Sequence, residues 1–227
     1  MGSDKSVIDK IGAGRLVVSC QPVVGGPMDT TAIVVAMAQA AEAGGAVALR
    51  IEGVARVRAV KAAVSIPVIG IVKHAEESIF ITPFLQDIDA LANAGADIVA
   101  FDATRRPRPF SVSELSNYAH DLGLICMADC ADLADGEAAA TAGCEIIGTT
   151  LSGYINAPHV PEQADFELIQ QMAARDLRVM AEGRIHTPAD AEKAIACGAW
   201  AVTVGTALTR LEINTGIFAE CLEAKES

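Results

Sequence analysis

A lysine at the end of an apolar segment is the first residue in this sequence that suggests chemistry. Residues 67–72 are apolar or glycine and mostly β-branched, and Lys73 follows them directly. Burial of an ammonium group lowers its pKa towards the range in which a neutral amine acts as a base. The alternative is an ordinary lysine that ends a strand and reaches solvent. The first interpretation is favoured because polar residues follow most of the other apolar segments as well.

Polar residues at the ends of these segments together suggest proton abstraction beside a carbonyl group. Lys73 is the candidate base, and Glu182 is the candidate second acid or base. Arg50, with Gln21, would stabilise the negative charge of an enolate. The full set comprises Gln21, Arg50, Lys73, Asp102, Asp129, Thr149, Thr150, Glu182, Arg184 and Gly205.

Several of these residues also have a purely structural interpretation. Arg50 could form an internal ion pair, with Glu52 as the nearest partner in the sequence. Asp102 and Asp129 could cap the helices that follow them, because Asp is a favoured N-cap residue. We favour a shared site because accidental convergence of the whole set is much less plausible than any single structural role.

Eight apolar segments alternate with helical segments and predict a (β/α)8 barrel, an α/β fold of the TIM-barrel type, as one domain over residues 1–227. The first helix is predicted over residues 28–43. Long connections follow the third, fourth and sixth strands, at the end where barrel enzymes build their sites. The predicted strands span residues 15–20, 46–51, 67–72, 97–101, 124–128, 145–148, 178–181 and 200–204.

Glycines support this arrangement. Gly44, Gly95, Gly143 and Gly198 each follow a predicted helix, and they recur about every two strand–helix units. We expect a positive φ at each, as at many helix C-termini. An open doubly wound sheet is the structural alternative, but residues 20–23 do not form the glycine-rich turn that it requires after the first strand.

The last two strand–helix units carry an anion-binding pattern. Gly183 and Arg184 follow the seventh predicted strand, and Gly205 and Thr206 follow the eighth. Barrels often build a phosphate site from backbone N–H groups at these two positions. Arg210 would add positive charge. The four histidines lack ligand spacing on one element, so we expect no metal.

Composition narrows the function classes. The chain is 52% hydrophobic and has a net charge of −12, with one short basic run at residues 105–108, so nucleic acid is not an expected partner. The longest apolar segments are too short to span a membrane. We expect a cytoplasmic protein without a signal peptide, whose six cysteines are mostly buried thiols.

Nine blocks of sequence, in order, resemble the bacterial N-acetylmannosamine-6-phosphate 2-epimerases, over nearly the whole chain from about Arg15. They lie at residues 19–22, 49–53, 67–73, 81–83, 101–104, 127–130, 148–154, 181–184 and 198–205.

The resemblance implies a cofactor-free barrel enzyme of sialic acid catabolism that interconverts N-acetylmannosamine 6-phosphate and N-acetylglucosamine 6-phosphate. It implies catalytic roles for Lys73 and Glu182. The substrate-binding residues would be Gln21, Arg50, Asp129 and Thr150, and the phosphate-binding residues would be Gly183, Arg184, Gly205, Thr206 and Arg210. Many family members have arginine where this chain has His74.

Three other functions are compatible with parts of the sequence. They are a Schiff-base aldolase using Lys73, a non-catalytic phosphosugar-binding protein, and a ribulose-phosphate-type biosynthetic barrel. The last has no reason to combine Lys73 with the Glu182-Gly183-Arg184 sequence. A homodimer is compatible with the sequence, and the loop over residues 149–162 has the length and the Gly, Pro and Tyr content of a lid.

Overall fold

Eight parallel strands pair in sequence order, and the last pairs with the first to close a barrel. The computed structural model describes residues 3–155 and 159–223; Met1, Gly2 and residues 156–158 of the predicted lid lie outside this range. The predicted (β/α)8 fold is confirmed, with strand ends within about two residues of their predicted positions. The strands are β1 (Arg15–Ser19), β2 (Ala48–Glu52), β3 (Val68–Ile71), β4 (Ile98–Asp102), β5 (Ile125–Asp129), β6 (Ile146–Gly148), β7 (Val179–Glu182) and β8 (Ala201–Val204).

Helices follow the strands and cover the outside of the barrel. Their inner faces pack against the outward-facing strand residues in one large apolar cluster. The described helices are α1 (Ser3–Ile11), α2 (Thr31–Ala43), α3 (Val54–Lys61), α4 (Leu85–Asn93), α5 (Val112–Asp121), α6 (Leu133–Thr141), α7 (Phe166–Ala173), α8 (Pro188–Ala196), α9 (Thr206–Thr209) and α10 (Leu211–Glu223).

A second apolar cluster fills the inside of the barrel. Side chains alternate between the two faces of a strand, so every second residue, such as Ile69, Ile98 and Ile125, points inwards. Helix α1 packs against this cluster, and Ile11 at its end is fully buried. Helix α1 was not predicted from the sequence. It adds apolar side chains at the amino-terminal end of the barrel, so the opposite end remains available for a site.

The structure corrects two boundaries. Gly44 has a φ of −78°, because its N–H still bonds to Ala40 in the last turn of α2. The left-handed conformation falls on the next residue, Gly45, with a φ of 97°. Helix α2 begins at Thr31 rather than residue 28, since the Thr30 hydroxyl accepts from the Ile33 N–H and caps the helix there.

Two compositional expectations can be compared with the described residues. Cys20, Cys126, Cys130 and Cys144 are buried thiols, whereas Cys221 is exposed on α10. Every described helix falls short of the length and apolarity that a membrane-spanning helix requires.

Candidate active site

The carboxyl ends of the barrel strands surround a cavity of about 490 Å³. Of the eleven residues assigned to catalysis, substrate binding or phosphate binding, ten line it, whereas Asp102 and Thr149 from the strand ends do not. The eleventh, Asp129, is fully buried and reaches the cavity only through its neighbours. The ten are Gln21, Arg50, Lys73, Thr150, Glu182, Gly183, Arg184, Gly205, Thr206 and Arg210.

Arg50 links two carboxylates at the inner end of the cavity. It points into the barrel from β2 and is only 1% exposed. Its Nη1 and Nη2 donate to the Oδ1 and Oδ2 atoms of Asp129, at 2.9 and 2.6 Å. Nη1 also donates to Glu182 Oε2 at 2.8 Å. The suggested pairing of Arg50 with Glu52 is wrong, because Glu52 bonds to Arg56 instead.

Glu182 ends β7 and directs its carboxylate into the cavity. Its backbone is held by Thr149, whose hydroxyl accepts from the Glu182 N–H and donates to the Glu182 carbonyl. Burial raises the pKa of the Glu182 carboxyl to about 7, and the nearby Asp129 charge acts in the same direction. Arg50 and Lys73 oppose this shift. A carboxyl that titrates near neutrality can both donate and accept a proton at physiological pH.

Lys73 lies beyond the end of β3 and directs its amine into the same cavity. Its Nζ donates to Gln21 Oε1 at 2.6 Å, and the Gln21 amide is itself held by Ser19. The side chain is exposed to the cavity, but surrounding protein replaces much of the water around the amine. This desolvation lowers the pKa of Lys73, and the positive charges of Arg50 and Arg210 lower it further.

The chain folds back after Lys73 and forms a short arm, here called the lysine arm (residues 73–82). Lys73 and Ile81 form an antiparallel bridge at its base. Thr82 is fully buried with a φ of 46°. Its hydroxyl accepts from the Val72 N–H at 3.2 Å, and its own N–H donates to the Val72 carbonyl at 2.7 Å. The strained Thr82 backbone therefore ties the far end of the arm to β3.

The predicted phosphate-binding residues line the same cavity. Gly183 has a φ of 102°, and Arg184 has a φ of 58°. Thr206 begins the short helix α9 directly after Gly205. Arg210 follows α9, and its Nε donates to the Gln21 carbonyl at 3.1 Å. Two chain turns and one arginine thus line the cavity together, as an anion site requires.

Arg184 makes contacts that the sequence did not suggest. Its Nε donates to the Gln163 carbonyl at 2.7 Å, and its Nη1 donates to the Ser152 carbonyl at 2.6 Å. Its guanidinium also lies over the Tyr154 ring, with Cζ 5.3 Å from the ring centroid. Arg184 therefore holds both ends of the long loop after β6, in addition to lining the cavity.

The two aspartates have different surroundings. Asp129 accepts from Thr150 Oγ1 at 2.6 Å as well as from Arg50, so it supports two cavity-lining residues. Asp102 pairs with Arg106 at 2.5 Å and accepts from the Thr104 N–H. Asp102 is thus part of a structural network that also accounts for much of the basic run.

Several cavity-lining residues were not predicted from the sequence. Tyr154 lies in the long loop, and Phe80 and Ile81 come from the lysine arm. Thr203 sits opposite Glu182 in the pairing of β7 and β8 and is nearly fully buried. Its signal was a hydroxyl in an otherwise apolar strand, at the inward-facing position two residues after Ala201.

One cluster away from the cavity combines side chains of the types that bind metals. His120, Cys126 and Glu145 place their ligand atoms within 4.8 Å of one another, although they are not spaced as ligands on one element. Glu145 already bonds to the Cys126 N–H at 2.9 Å and lies 3.0 Å from His120. Burial also raises the pKa of the Cys126 thiol, which disfavours the thiolate that a metal needs. The cluster is consistent with a structural network.

The fold and the cavity define a class: a (β/α)8 barrel with an acid–base site and an anion-binding side at the carboxyl ends of its strands. A family model described as "Putative N-acetylmannosamine-6-phosphate epimerase" matches residues 34–224, and the chain belongs to this family.

Individual relatives agree with the family model. The chain is 54% identical over 213 residues to a "Putative N-acetylmannosamine-6-phosphate 2-epimerase" of Klebsiella pneumoniae, covering 93% of this chain and 91% of the relative. An Escherichia coli O157:H7 protein of the same description is 54% identical over 201 residues, covering 88% of this chain and 87% of the relative.

Solved structures support the fold at two levels of similarity. An N-acetylmannosamine-6-phosphate 2-epimerase from Clostridium perfringens superposes with a TM-score of 0.89 at 35% identity, covering 93% of this chain and 94% of the other. A thiamine phosphate pyrophosphorylase from Pyrococcus furiosus has a TM-score of 0.62 at 16% identity, covering 88% of each chain, and supports the fold alone.

Proposed function

We propose that this protein interconverts N-acetylmannosamine 6-phosphate and N-acetylglucosamine 6-phosphate by removing and returning the proton at C2. The observation that carries the proposal is that Lys73 and the Arg50–Glu182 pair line one cavity. In a member of this family, these are a base, a charge-stabilising group and a second proton-transfer group within reach of one sugar. The family and its relatives favour this function over an aldolase or a non-catalytic binding protein.

The proposed reaction begins with the open-chain sugar, in which the C1 aldehyde makes the C2 proton acidic. The neutral Lys73 amine takes this proton. The electron pair of the C2–H bond forms the C1–C2 double bond, and the π electrons of the C1 carbonyl move to its oxygen to give an enolate. Arg50 stabilises the new negative charge, because its guanidinium is already fixed by two carboxylates. The enolate then takes a solvent-derived proton on the opposite face of C2, which inverts that carbon, and Lys73 releases its own proton to solvent.

Glu182 is proposed to transfer a proton at a sugar oxygen during ring opening and closure. A pKa of about 7 suits both directions of this transfer. Gln21 and Thr150 would orient the substrate, while Asp129 would act from behind by holding Arg50 and Thr150. The phosphate would bind Gly183, Arg184, Gly205, Thr206 and Arg210. No step requires a cofactor.

The test is proton NMR of purified protein with N-acetylmannosamine 6-phosphate in D2O, with wild type beside Lys73→Ala. With the wild type, we expect N-acetylglucosamine 6-phosphate that carries deuterium at C2. With the variant, we expect neither the product nor the deuterium. Borohydride added with substrate distinguishes the aldolase, since it would trap a covalent adduct on Lys73 only if a Schiff base forms. An undeuterated and unchanged sugar with folded wild-type protein would refute the proposal.

We also propose that the active form is a cytoplasmic homodimer. Helix α10 exposes Leu211, Phe218 and Leu222 to solvent, and large apolar surfaces of this kind mark interaction sites. The same chain carries an open, largely apolar groove between β1, α8 and β8, lined in part by Ile195 and Val202. A second copy offers both complementary surfaces. Analytical ultracentrifugation should give a dimer for the wild type and a monomer for Phe218→Glu; a monomeric wild type would exclude the dimer.

A further inference from the structure

His74, the residue after the proposed base, bonds to a helix outside the cavity. Its Nε2 lies 3.0 Å from both carboxylate oxygens of Asp87, in the first turn of α4. Its ring also meets the Phe84 ring edge-on, with centroids 5.1 Å apart. Asp87 is itself fixed, because one of its oxygens accepts from the Phe84 N–H at 3.2 Å. His74 is thus held by both a contact with a carboxylate and an aromatic contact.

The position of His74 determines what this anchor does. In extended backbone, neighbouring side chains point to opposite faces. Lys73 points into the cavity, and His74 points outwards to α4. The His74 N–H also donates to the Phe80 carbonyl at 2.9 Å, which joins the two limbs of the lysine arm. A fixed His74 therefore limits rotation of the backbone that carries Lys73.

The tip of the lysine arm has weaker support. Residues 75–78 are exposed, and Arg106 contacts the tip by donating from Nη1 to the Ser78 carbonyl at 2.7 Å. The base of the arm is more firmly held, because Thr82 bonds one limb to β3 and His74 bonds the other to α4. Of these anchors, His74 is the one that directly follows Lys73 in the chain.

We propose that His74 is a positioning residue for Lys73, whose bond to Asp87 holds the lysine arm against α4 and keeps the amine directed into the cavity. This positioning role rests on the proposed function in one respect, namely that the Lys73 amine is the catalytic base. The placement of the amine itself is measurable without turnover.

The first experiment compares the steady-state kinetics of His74→Ala and His74→Gln with the wild type. We expect kcat to fall about 10- to 100-fold in His74→Ala, the scale on which misplacement of a catalytic group acts, with KM changed less than about twofold. The Gln side chain keeps an N–H donor near the place of Nε2, so it should recover most of kcat. His120→Ala is the matched control, because it removes a similar histidine–carboxylate contact away from the cavity.

The second experiment needs no turnover. Lysines are reductively methylated with 13C-formaldehyde, and Lys73→Arg identifies the Lys73 signal for pH titration by NMR. Burial is the largest effect and lowers the Lys73 pKa; the positive charges of Arg50 and Arg210 lower it further, and the negative charges of Glu52 and Glu182 raise it. A released arm lets the amine reach water, so the midpoint should lie higher in His74→Ala than in the wild type. His120→Ala should leave it unchanged.

The outcomes separate this inference from the proposed function. A wild type that titrates as expected but does not turn over would refute the proposed function and leave the positioning role supported. If the wild type is active and both His74 variants have its kcat and its Lys73 titration midpoint, the positioning role is overturned. If His74→Ala fails to fold, Asp87→Asn removes the charge of the anchor and is subject to the same criteria.

Discussion

Arg50 and Asp129 form a bidentate ion pair inside the barrel, in which Nη1 donates to Oδ1 at 2.9 Å and Nη2 donates to Oδ2 at 2.6 Å. Both side chains are almost completely excluded from solvent. The pair orients the guanidinium that also contacts Glu182. Asp129 does not line the cavity, but it supports the proposed chemistry because it orients Arg50.

We expect Asp129→Ala to be strongly destabilising. Removal of one partner from a buried ion pair costs about 3–5 kcal/mol when the remaining charge is left uncompensated. Glu182 still accepts from Arg50 Nη1 in this variant, so we expect a loss near the lower end of this range. Urea unfolding measures this cost. Glu137→Ala is the control, because its ion pair with Arg175 is exposed and should contribute little. An Asp129→Ala protein that unfolds at the wild-type urea concentration would show that Glu182 alone compensates the Arg50 charge.

The second prediction concerns the charge near the proposed base. The Lys73 pKa is lowered by burial first and then by the positive charges of Arg50 and Arg210. Arg210→Met removes one of these charges, so the Lys73 pKa should rise. The ascending limb of the pH profile of kcat should therefore move to higher pH. Because loss of Arg210 should also raise KM, kcat is measured at saturating substrate for each variant. Arg58→Met, an exposed change on α3, should leave the limb in place.

The third prediction links the pKa of Glu182 to stability. Burial raises this pKa from 4.5 to about 7, so between these pH values the folded state binds more protons than the unfolded state. The free energy of unfolding contributed by Glu182 therefore decreases as pH rises from 4.5 to 7. Glu182→Gln lacks this titration, so its stability relative to wild type should increase across the same window and level off above it. Urea unfolding at four pH values tests the sign, and a constant difference would contradict it.

The fold was predictable because each strand is a short apolar segment and polar residues mark its end. The site residues followed from the same pattern, since all parallel strands of a barrel end at one mouth. The partners of Arg50 were not predictable. Asp129 lies 79 residues away and Glu182 lies 132 residues away, whereas the suggested partner, Glu52, was merely near in the sequence.

Helix α1 was missed for a related reason. Its sequence mixes charged residues with a few apolar ones, and Ile11 becomes buried only because the barrel interior lies next to it. The two functions of Arg184 were equally invisible. Its contacts to the Ser152 and Gln163 carbonyls depend on the path of a loop rather than on any local pattern.

The last prediction concerns this loop, whose ends are held together beside the cavity. Gly153 has a φ of 75°, and a Cβ there would lie 2.6 Å from Pro161 Cδ and 3.4 Å from Arg184 Nη1. Gly153→Ala must therefore displace the Pro161 limb or Arg184. If the loop closes over the phosphosugar, kcat/KM should fall by about tenfold or more. The change should come mainly from a higher KM, because the substitution displaces a part of the loop that contacts the bound substrate.

The matched control for Gly153→Ala is Gly123→Ala. Gly123 has a nearly equal φ of 76°, but a Cβ there meets nothing within 4 Å, and it lies between α5 and β5 at the other end of the barrel. Both substitutions carry a backbone penalty of roughly 1–2 kcal/mol, so unfolding experiments should show a loss of stability in both variants, with a larger loss in Gly153→Ala because Pro161 or Arg184 must also move. Kinetics should then separate them, with kcat/KM reduced only in Gly153→Ala. Equal kinetics in the two variants would mean that the loop does not form part of the substrate site.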